Sequence, residues 1–483
     1  MSGPGSEEPR PAPVTRGWQW AFVLAMLGVS AAWFGPLQVL LPAQAQQIAG
    51  AAGPGKEHLL TAVTAIGAGA SIVATPLWGL LADRRARSGH PSRREIILAG
   101  AVVGALGLVI LAQATTPAWM VAGWAVSQAG IGGPLAALGA LIAEQVPPKQ
   151  RGLVSSLFGI AQVAGVVLGT VVATVTDAGP LGYVCLAAAL PLLCAALWMA
   201  QRGSRERRHA QPSPRGLADG PAAGSTTATR PPRPGGGRRE PASRDRGRLS
   251  AGRLTITREF AWMWGVRFLL NVSNAMIVVY LYFFVADGLH IADVTTWVLI
   301  ATLLNVLFTC GVGALAGLAS DRSGRRLPYA AWGGLATAFS ALLLAVAPNL
   351  GFALIGAAVF GIGWGLYIAV DMALFASFLP RDAASGTLLG VANAAQTLPQ
   401  VVAPLVAAPL VTQGGGFPAL YVCAAVVALL GVACLAPLRG SAKRGLPGDP
   451  AVGMIDGIAG GMAGGPTGES AGGATAPPGP QAA

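Results

Sequence analysis

Charge is what this sequence has least of. Asp, Glu, Lys and Arg make up 11% of its 483 residues, against about 25% in an ordinary soluble domain. With 53% hydrophobic residues and a mean hydropathy of +0.58, the chain has too little polar surface to cover a water-soluble globule of this size, and a soluble fold is excluded. Histidine is nearly missing: His58, His90, His209 and His290 lie at the edges of apolar runs or in connecting stretches. Cysteine is scarce too, and the five, Cys185, Cys194, Cys310, Cys423 and Cys434, sit inside apolar runs without a CxxC spacing. No His/Cys set can therefore hold a catalytic metal at membrane depth, no metal site is expected, and the thiols read as small packing groups.

What the chain does have is long apolar runs. A bilayer core about 30 Å thick takes about 20 apolar residues per helix. Twelve such runs fall near 18–41, 58–81, 95–115, 118–143, 152–175, 180–200, 260–286, 294–319, 328–347, 350–379, 385–411 and 416–437. The fold class expected is an all-α integral membrane protein of twelve helices. The first run ends near Ala43-Gln44-Ala45, which mimics a signal-peptidase site. Its 24 residues from Trp18 to Leu41 exceed the 7–15 of a signal h-region, so it reads as a retained helix.

The scarce charges are sorted by side. The segments before run 1, after runs 2, 4, 6, 8 and 10, and after run 12 carry 2, 5, 2, 14, 3, 1 and 3 Lys and Arg, 30 of the 32 in the chain. The opposite side keeps only Lys56, and Arg267 lies within run 7. Cytoplasmic loops retain Lys and Arg, so both termini and the central loop are expected in the cytoplasm, in a multi-pass protein of the cytoplasmic membrane. The net charge of +12 is then a topology signal rather than a nucleic-acid footprint. Residues 201–259, rich in Arg, Pro, Gly and Ser, cannot bury enough surface to offset their ordering entropy. They read as a disordered linker between a bundle over 18–200 and another over 260–437, with disordered tails at 1–17 and 438–483.

The two bundles repeat. Gly79-Leu-Leu-Ala-Asp83-Arg84 ends run 2 and Gly317-Leu-Ala-Ser-Asp321-Arg322 ends run 8, an offset of 238; Gly152 and Ala161-Gln162 in run 5 match Gly386 and Ala395-Gln396 in run 11, an offset of 234. Parallel repeats of six helices are a transporter architecture with a site between the halves. The segments GLLADRRARSGHPSRRE and GLASDRSGRR resemble the loop motif Gly-x-Leu-x-Asp-Arg-x-Gly-Arg-Arg of the major facilitator superfamily. In the second copy Arg325 and Arg326 form the basic pair; in the first it is displaced to Arg93 and Arg94. Gly365-Leu-Tyr-Ile-Ala-Val-Asp371-Met-Ala-Leu and Ala395-Gln-Thr-Leu-Pro-Gln400 are similar to bacterial members near the sugar:cation symporters. The resemblance implies two pseudo-symmetric six-helix bundles and a gating role for Gly79, Asp83, Arg84, Gly317, Asp321, Arg322, Arg325 and Arg326. The glycines would let helices approach closely, and the loops would latch the halves when the cytoplasmic side is closed. Runs 1 and 2 hold no acid, so the sodium site of melibiose-type symporters has no counterpart. Run 5 lacks the Gly-Pro signature of proton-driven drug antiporters, and Ala125 stands where a cavity arginine is expected before Gln128.

Ionisable side chains at bilayer depth are costly and mark function. Arg267 in run 7 and Asp371 in run 10 lie at matching depth with opposite sign, and the family topology places both helices at the central cavity. They are expected to form a buried pair, either a proton switch opened by protonation of Asp371 or a static packing pair. Asn271 and Asn274 share the face of Arg267. Trp364 and Tyr367 share that of Asp371. With Trp33, Trp124, Gln128, Asn393 and Gln396 they form a candidate lining for a small polar organic solute. The sequence thus points to a monomeric secondary transporter, proton-coupled and sugar-type, with no cofactor and no partners beyond solute and bilayer. The alternative is an exporter of drug-like metabolites. A membrane enzyme lacks the necessary constellation of reactive groups, and a non-transporting receptor lacks a visible extramembrane domain.

Overall fold

A computed structural model describes residues 13–50, 55–87, 92–210, 257–378 and 394–438. Twelve helices in it are long and apolar enough to cross a membrane: α1 (Arg16–Ala49), α2 (Gly55–Ala82), α3 (Arg93–Ala112), α4 (Pro117–Ile142), α5 (Gln150–Val175), α6 (Pro180–Ala200), α7 (Arg258–Gly288), α8 (Val294–Ser323), α9 (Leu327–Ala345), α10 (Leu350–Phe375), α11 (Ala394–Thr412) and α12 (Gly416–Leu438). No strand occurs among the described residues. The protein is a multi-pass membrane protein with an all-helical fold. The start of α1, the ends of α2 and α6, the start of α7 and the end of α12 share one end of the bundle, here termed the linker face; the other end is the far face.

The packing repeats with a shift of six helices. In the first half α1 packs on α5 and α6, α2 on α4, and α3 on α4 and α6; in the second α7 packs on α11 and α12, α8 on α10, and α9 on α10 and α12. The halves meet through α2 against α11 and α5 against α8. Both opening helices start on a threonine cap: Thr15 accepts from the Trp18 N–H and Thr257 from the Phe260 N–H, each at 3.2 Å. Each cap satisfies one of the amides that a helix start leaves open. Lipid offers apolar side chains as good a solvent as the protein interior, so close backbone packing through small residues holds such helices together. Gly35 meets Gly169 between α1 and α5, Gly107 meets Ser127 between α3 and α4, and Gly363 meets Thr337 between α10 and α9. Leu77, Leu106, Leu307, Leu315, Trp332 and Leu430 stay exposed, as a lipid-facing surface requires.

Several sequence expectations shift. The helix of α1 runs eight residues past Leu41 to Ala49, because Gln44 is not a loop residue. It is buried, donates to the Leu111 and Ala114 carbonyls at 2.8 and 3.0 Å and accepts from the Tyr183 hydroxyl at 2.8 Å. The Ala43-Gln44-Ala45 stretch is therefore helix core. The sixth helix continues as Pro180–Ala210, so helix occupies the start of the expected linker, and α7 takes up Arg258 and Glu259. Residues 211–256, the tails 1–12 and 439–483, and residues 385–393 of the expected eleventh run lie outside the described residues. The second helix begins at Gly55 rather than 58 and includes Glu57, which corrects the acid-free reading of the first two helices. All five cysteines are free thiols.

Candidate functional site

Arg267 lies nine residues into α7, about 14 Å from the start of the helix at 1.5 Å per residue. Its Nη2 is 3.2 Å from the Asp371 carboxylate of α10, with both side chains 4% exposed. The Tyr367 hydroxyl donates to the other Asp371 oxygen at 2.8 Å. Arg267 also donates to the Met372 thioether at 3.2 Å, and its guanidinium carbon lies 4.9 Å from the centroid of the Phe375 ring. Asn271 caps the local network by donating to the Arg267 carbonyl at 2.8 Å. A guanidinium and a carboxylate taken out of water together must satisfy one another, and here one proton remains over: the buried Arg267 Nε has no partner. Trp364 packs its ring 5.3 Å from Tyr367, so aromatic faces flank the carboxylate. The fourth helix of the second half thereby presents Trp364, Tyr367 and Asp371 as one connected stripe.

The first half's candidates form a separate group. Trp124 is fully buried against Gly67 of α2, with Gln128 beside it. The Trp124 indole N–H and the Gln128 carbonyl oxygen are buried without hydrogen-bond partners. Ser127, between them in the sequence, has a buried unpartnered hydroxyl. Trp33 is half-buried and stacks on Phe34, Asn274 is half-buried, and Gln396 is exposed. Asn393 lies outside the described residues. No hydrogen bond, ion pair or ring contact among the described residues joins the group on α4 to the pair on α7 and α10.

Among the described residues, polar contacts that cross between the halves gather at the far face. The Gln38 carbonyl oxygen accepts from Thr170 of its own half at 3.0 Å and from Thr302 of the other at 3.4 Å. Thr61 and Tyr280 share a hydrogen bond of 3.0 Å, and both hydroxyls lie 3.4 Å from the Pro404 carbonyl. Thr174 donates to the Thr295 carbonyl at 3.3 Å, and Lys56 pairs with Asp287 at 2.8 Å. Two π-helical turns sit here, Pro36–Leu40 in α1 and Phe284–Gly288 in α7. Such turns favour functional positions because the widened backbone re-aims side chains, and Gln38 stands on the first. Sequence reading singled out only Lys56 of this set, as the one basic residue on its side. Hydroxyls at helix spacing carry no signal that they cross an interface.

Removing the shared bond tests this closure. Thr61→Val with Tyr280→Phe is expected to open the far face about fivefold more often, since a hydrogen bond contributes about 1 kcal/mol. The readout is the alkylation rate of a cysteine placed at Gln38, with the native cysteines replaced. An unchanged rate contradicts the assignment.

The duplicated loop motifs lie at the linker face. Asp321, Arg322 and Arg325 are exposed, and Arg326 is half-buried. Gly324 turns the chain out of α8 with φ +63°, a conformation glycine adopts without a Cβ penalty. Arg84 is exposed; next to it Arg85 pairs with Glu95 at 3.0 Å across the loop. A Cβ on Gly79 or Gly317 would meet nothing within 4 Å, so neither glycine brings two helices together in this conformation. That expectation is corrected for this conformation, and the physical reason is that a small residue permits a close approach without requiring one. The side chain of Asp83 lies outside the described residues.

The family model described as Major Facilitator Superfamily matches residues 21–318 and again 299–467. No curated protein matches the sequence. Solved structures similar in fold include the nucleoside transporter NupG, 14% identical with a TM-score of 0.59 over 87% of this chain and 100% of that one. The xylose transporter XylE from E. coli, in a partially occluded inward-open conformation, is 14% identical with a TM-score of 0.61 over 87% and 99%. A POT family transporter in complex with a thioalcohol-conjugated peptide is 11% identical with a TM-score of 0.64 over 89% and 96%. At these identities the likeness is one of fold.

Proposed function

This chain belongs to the major facilitator superfamily, and on that premise we propose that it imports a small, polar, sugar-like solute by alternating access, driven by protons. It is a transporter and not an enzyme. The proposed site is the stripe of Trp364, Tyr367 and Asp371 facing Arg267 and Asn271. The half-buried Trp364 indole stacks on a pyranose or similar ring, and the buried phenol and carboxylate reach its hydroxyls as the Arg267–Asp371 pair parts. The proposed orientation puts the linker face in the cytoplasm, following the one-sided basic residues, in the cytoplasmic membrane and as a monomer. With that orientation, the contacts that join the halves at the far face close the outer side.

The observation that carries the reading is the Arg267–Asp371 pair at bilayer depth. A proton on Asp371 removes half of that pair, so Arg267 must find another partner, and the packing between α7 and α10 must change with it. Such a titratable link between two helices supplies coupling, whereas a uniporter needs none. The neighbours named as nucleoside and xylose transporters handle polar organic solutes, which supports the solute class.

Purified protein in proteoliposomes under an imposed pH gradient, offered a panel of labelled sugars and cationic dyes, tests the proposal. Gradient-driven sugar accumulation is expected. Asp371→Asn is expected to abolish the dependence on the gradient; retained dependence removes Asp371 from coupling and leaves it a packing role. Dye movement without sugar flux replaces the proposal with a drug-type exporter.

A further inference from the structure

Two carboxylates and one ammonium meet at the closed far face. Lys56 and Glu57 open α2, and Asp287 lies at the end of α7 in the other half. The Lys56 ammonium is 2.8 Å from the Asp287 carboxylate, with the side chains 4% and 31% exposed, and it lies 5.7 Å from the Phe283 ring centroid. Removing an ammonium from water requires an anionic partner, and Asp287 supplies it across the interface. Glu57 is differently placed. It is 6% exposed, its own backbone N–H serves part of the carboxylate, and Oε2 is buried with no hydrogen-bond partner. The charged groups that face it are Lys56 and Asp287, with the exposed His58 beside it, and Tyr280 of α7 lies within its field. Tyr282, also on α7, faces Asp287. The helical segments of α1 and α11 at this end, Leu41–Ala49 and Pro399–Thr412, contain no titratable side chain. Two carboxyl groups thus share one ammonium.

We propose that Glu57 is a proton-binding site of the far-face gate, which takes one proton from the water on that side as the halves close over it and returns it as they part. With Glu57 ionised, Lys56, Asp287 and Glu57 together carry one negative charge in excess, and the unanswered oxygen, Glu57 Oε2, is one that water does not reach. An O–H bond formed at Oε2 brings the cluster to neutrality and turns the orphaned acceptor into a neutral group, which is far cheaper to bury. Opening re-solvates the carboxyl, and the proton leaves to the same side. The site therefore carries no net proton across the membrane. It sets how strongly acidity on the far side favours the closed form, while net coupling remains with Asp371. This inference rests on the alternating-access reading only in requiring that the halves separate at this face.

The test uses the full chain in nanodiscs, with native cysteines replaced and spin labels at the exposed positions Gln47 and Ala292, one in each half. Electron-electron distance distributions give the ratio of closed to open far face between pH 5 and 8.5. The ratio is expected to rise as pH falls, by up to tenfold per pH unit, the limit for one linked proton. In the Arg267→Gln, Asp371→Asn background, which removes the coupling proton, Glu57→Gln is expected to hold the far face closed with no pH dependence, and Glu57→Asp to retain the dependence, which guards against a mere folding defect. A wild-type ratio flat with pH, a Glu57→Gln protein that keeps the wild-type slope, or a ratio moved by sodium at constant pH each overturns the proposal. The outcome is separable from the solute reading: sugar flux with a flat ratio removes the proton site alone, and a pH-dependent ratio without sugar flux removes the sugar reading alone.

Discussion

Asp371→Asn is expected to destabilise the protein by roughly 3–5 kcal/mol, the range for leaving one member of a buried ion pair without its partner. The substitution keeps the shape of the side chain and an oxygen for the Tyr367 hydroxyl, so the loss isolates the charge. Arg267 is left at 4% side-chain exposure beside a thioether and a phenyl ring, neither of which neutralises a guanidinium. Water cannot replace the carboxylate without opening the packing of α7 on α10. A thermal melt in detergent measures the effect. The double variant Arg267→Gln with Asp371→Asn provides the control, because it removes both desolvation penalties together. It is expected to regain most of the stability while proton-driven transport stays lost. If the single variant melts within about 1 kcal/mol of the parent, the pair behaves as a solvated one and its assignment as a buried switch fails.

Gly107→Val is expected to abolish recovery of folded protein. Here α3 and α4 touch backbone to backbone: a Cβ on Gly107 would overlap the backbone nitrogen and Cα of Ser127, and one on Gly130 would overlap Gly104 in the same interface. Overpacking costs about 1–3 kcal/mol where side chains can yield. Two helix backbones have no rotamer to change, so the helices must part along their length, and their dispersion contacts go with them. Monodispersity on size-exclusion chromatography after membrane extraction measures the result. Gly79→Val is the comparison, since nothing lies within 4 Å of that position, and it is expected to leave recovery unchanged. Equal recovery of both variants contradicts the close approach of α3 and α4.

The twelve spans are legible because a bilayer imposes a length and an apolarity that composition alone must meet. The exceptions are instructive. Gln44 and Glu57 are polar residues inside helices, and both fall outside the apolar runs because a window of hydropathy cannot see a tertiary partner. Gln44 finds two carbonyls and a hydroxyl on α3, the loop after it, and α6. Glu57 finds only part of what it needs. The duplication is legible from two motif offsets, and the packing repeats it helix for helix. For the loop-motif glycines, a sequence-based inference of close packing does not hold in this conformation, because a small residue permits an approach without requiring it.

Arg267 and Asp371 show where the boundary lies. Their isolation among apolar residues, their opposite signs and their matching depths are properties of the chain alone, since depth along a helix is a count of residues. That the two side chains meet at 3.2 Å, and that Tyr367 takes the second oxygen, depends on how α7 and α10 are rotated about their axes, which only packing sets. The same division holds at the far face. The sequence determined that Lys56 and Glu57 lie on the side with almost no basic residues. Only the tertiary structure decided that Asp287, more than 200 residues away, answers one of them and leaves the other short of a partner. Hydrophobic patterning is local and additive along the chain, whereas charge compensation is a property of a place, and a place in a membrane protein exists only once its helices have assembled.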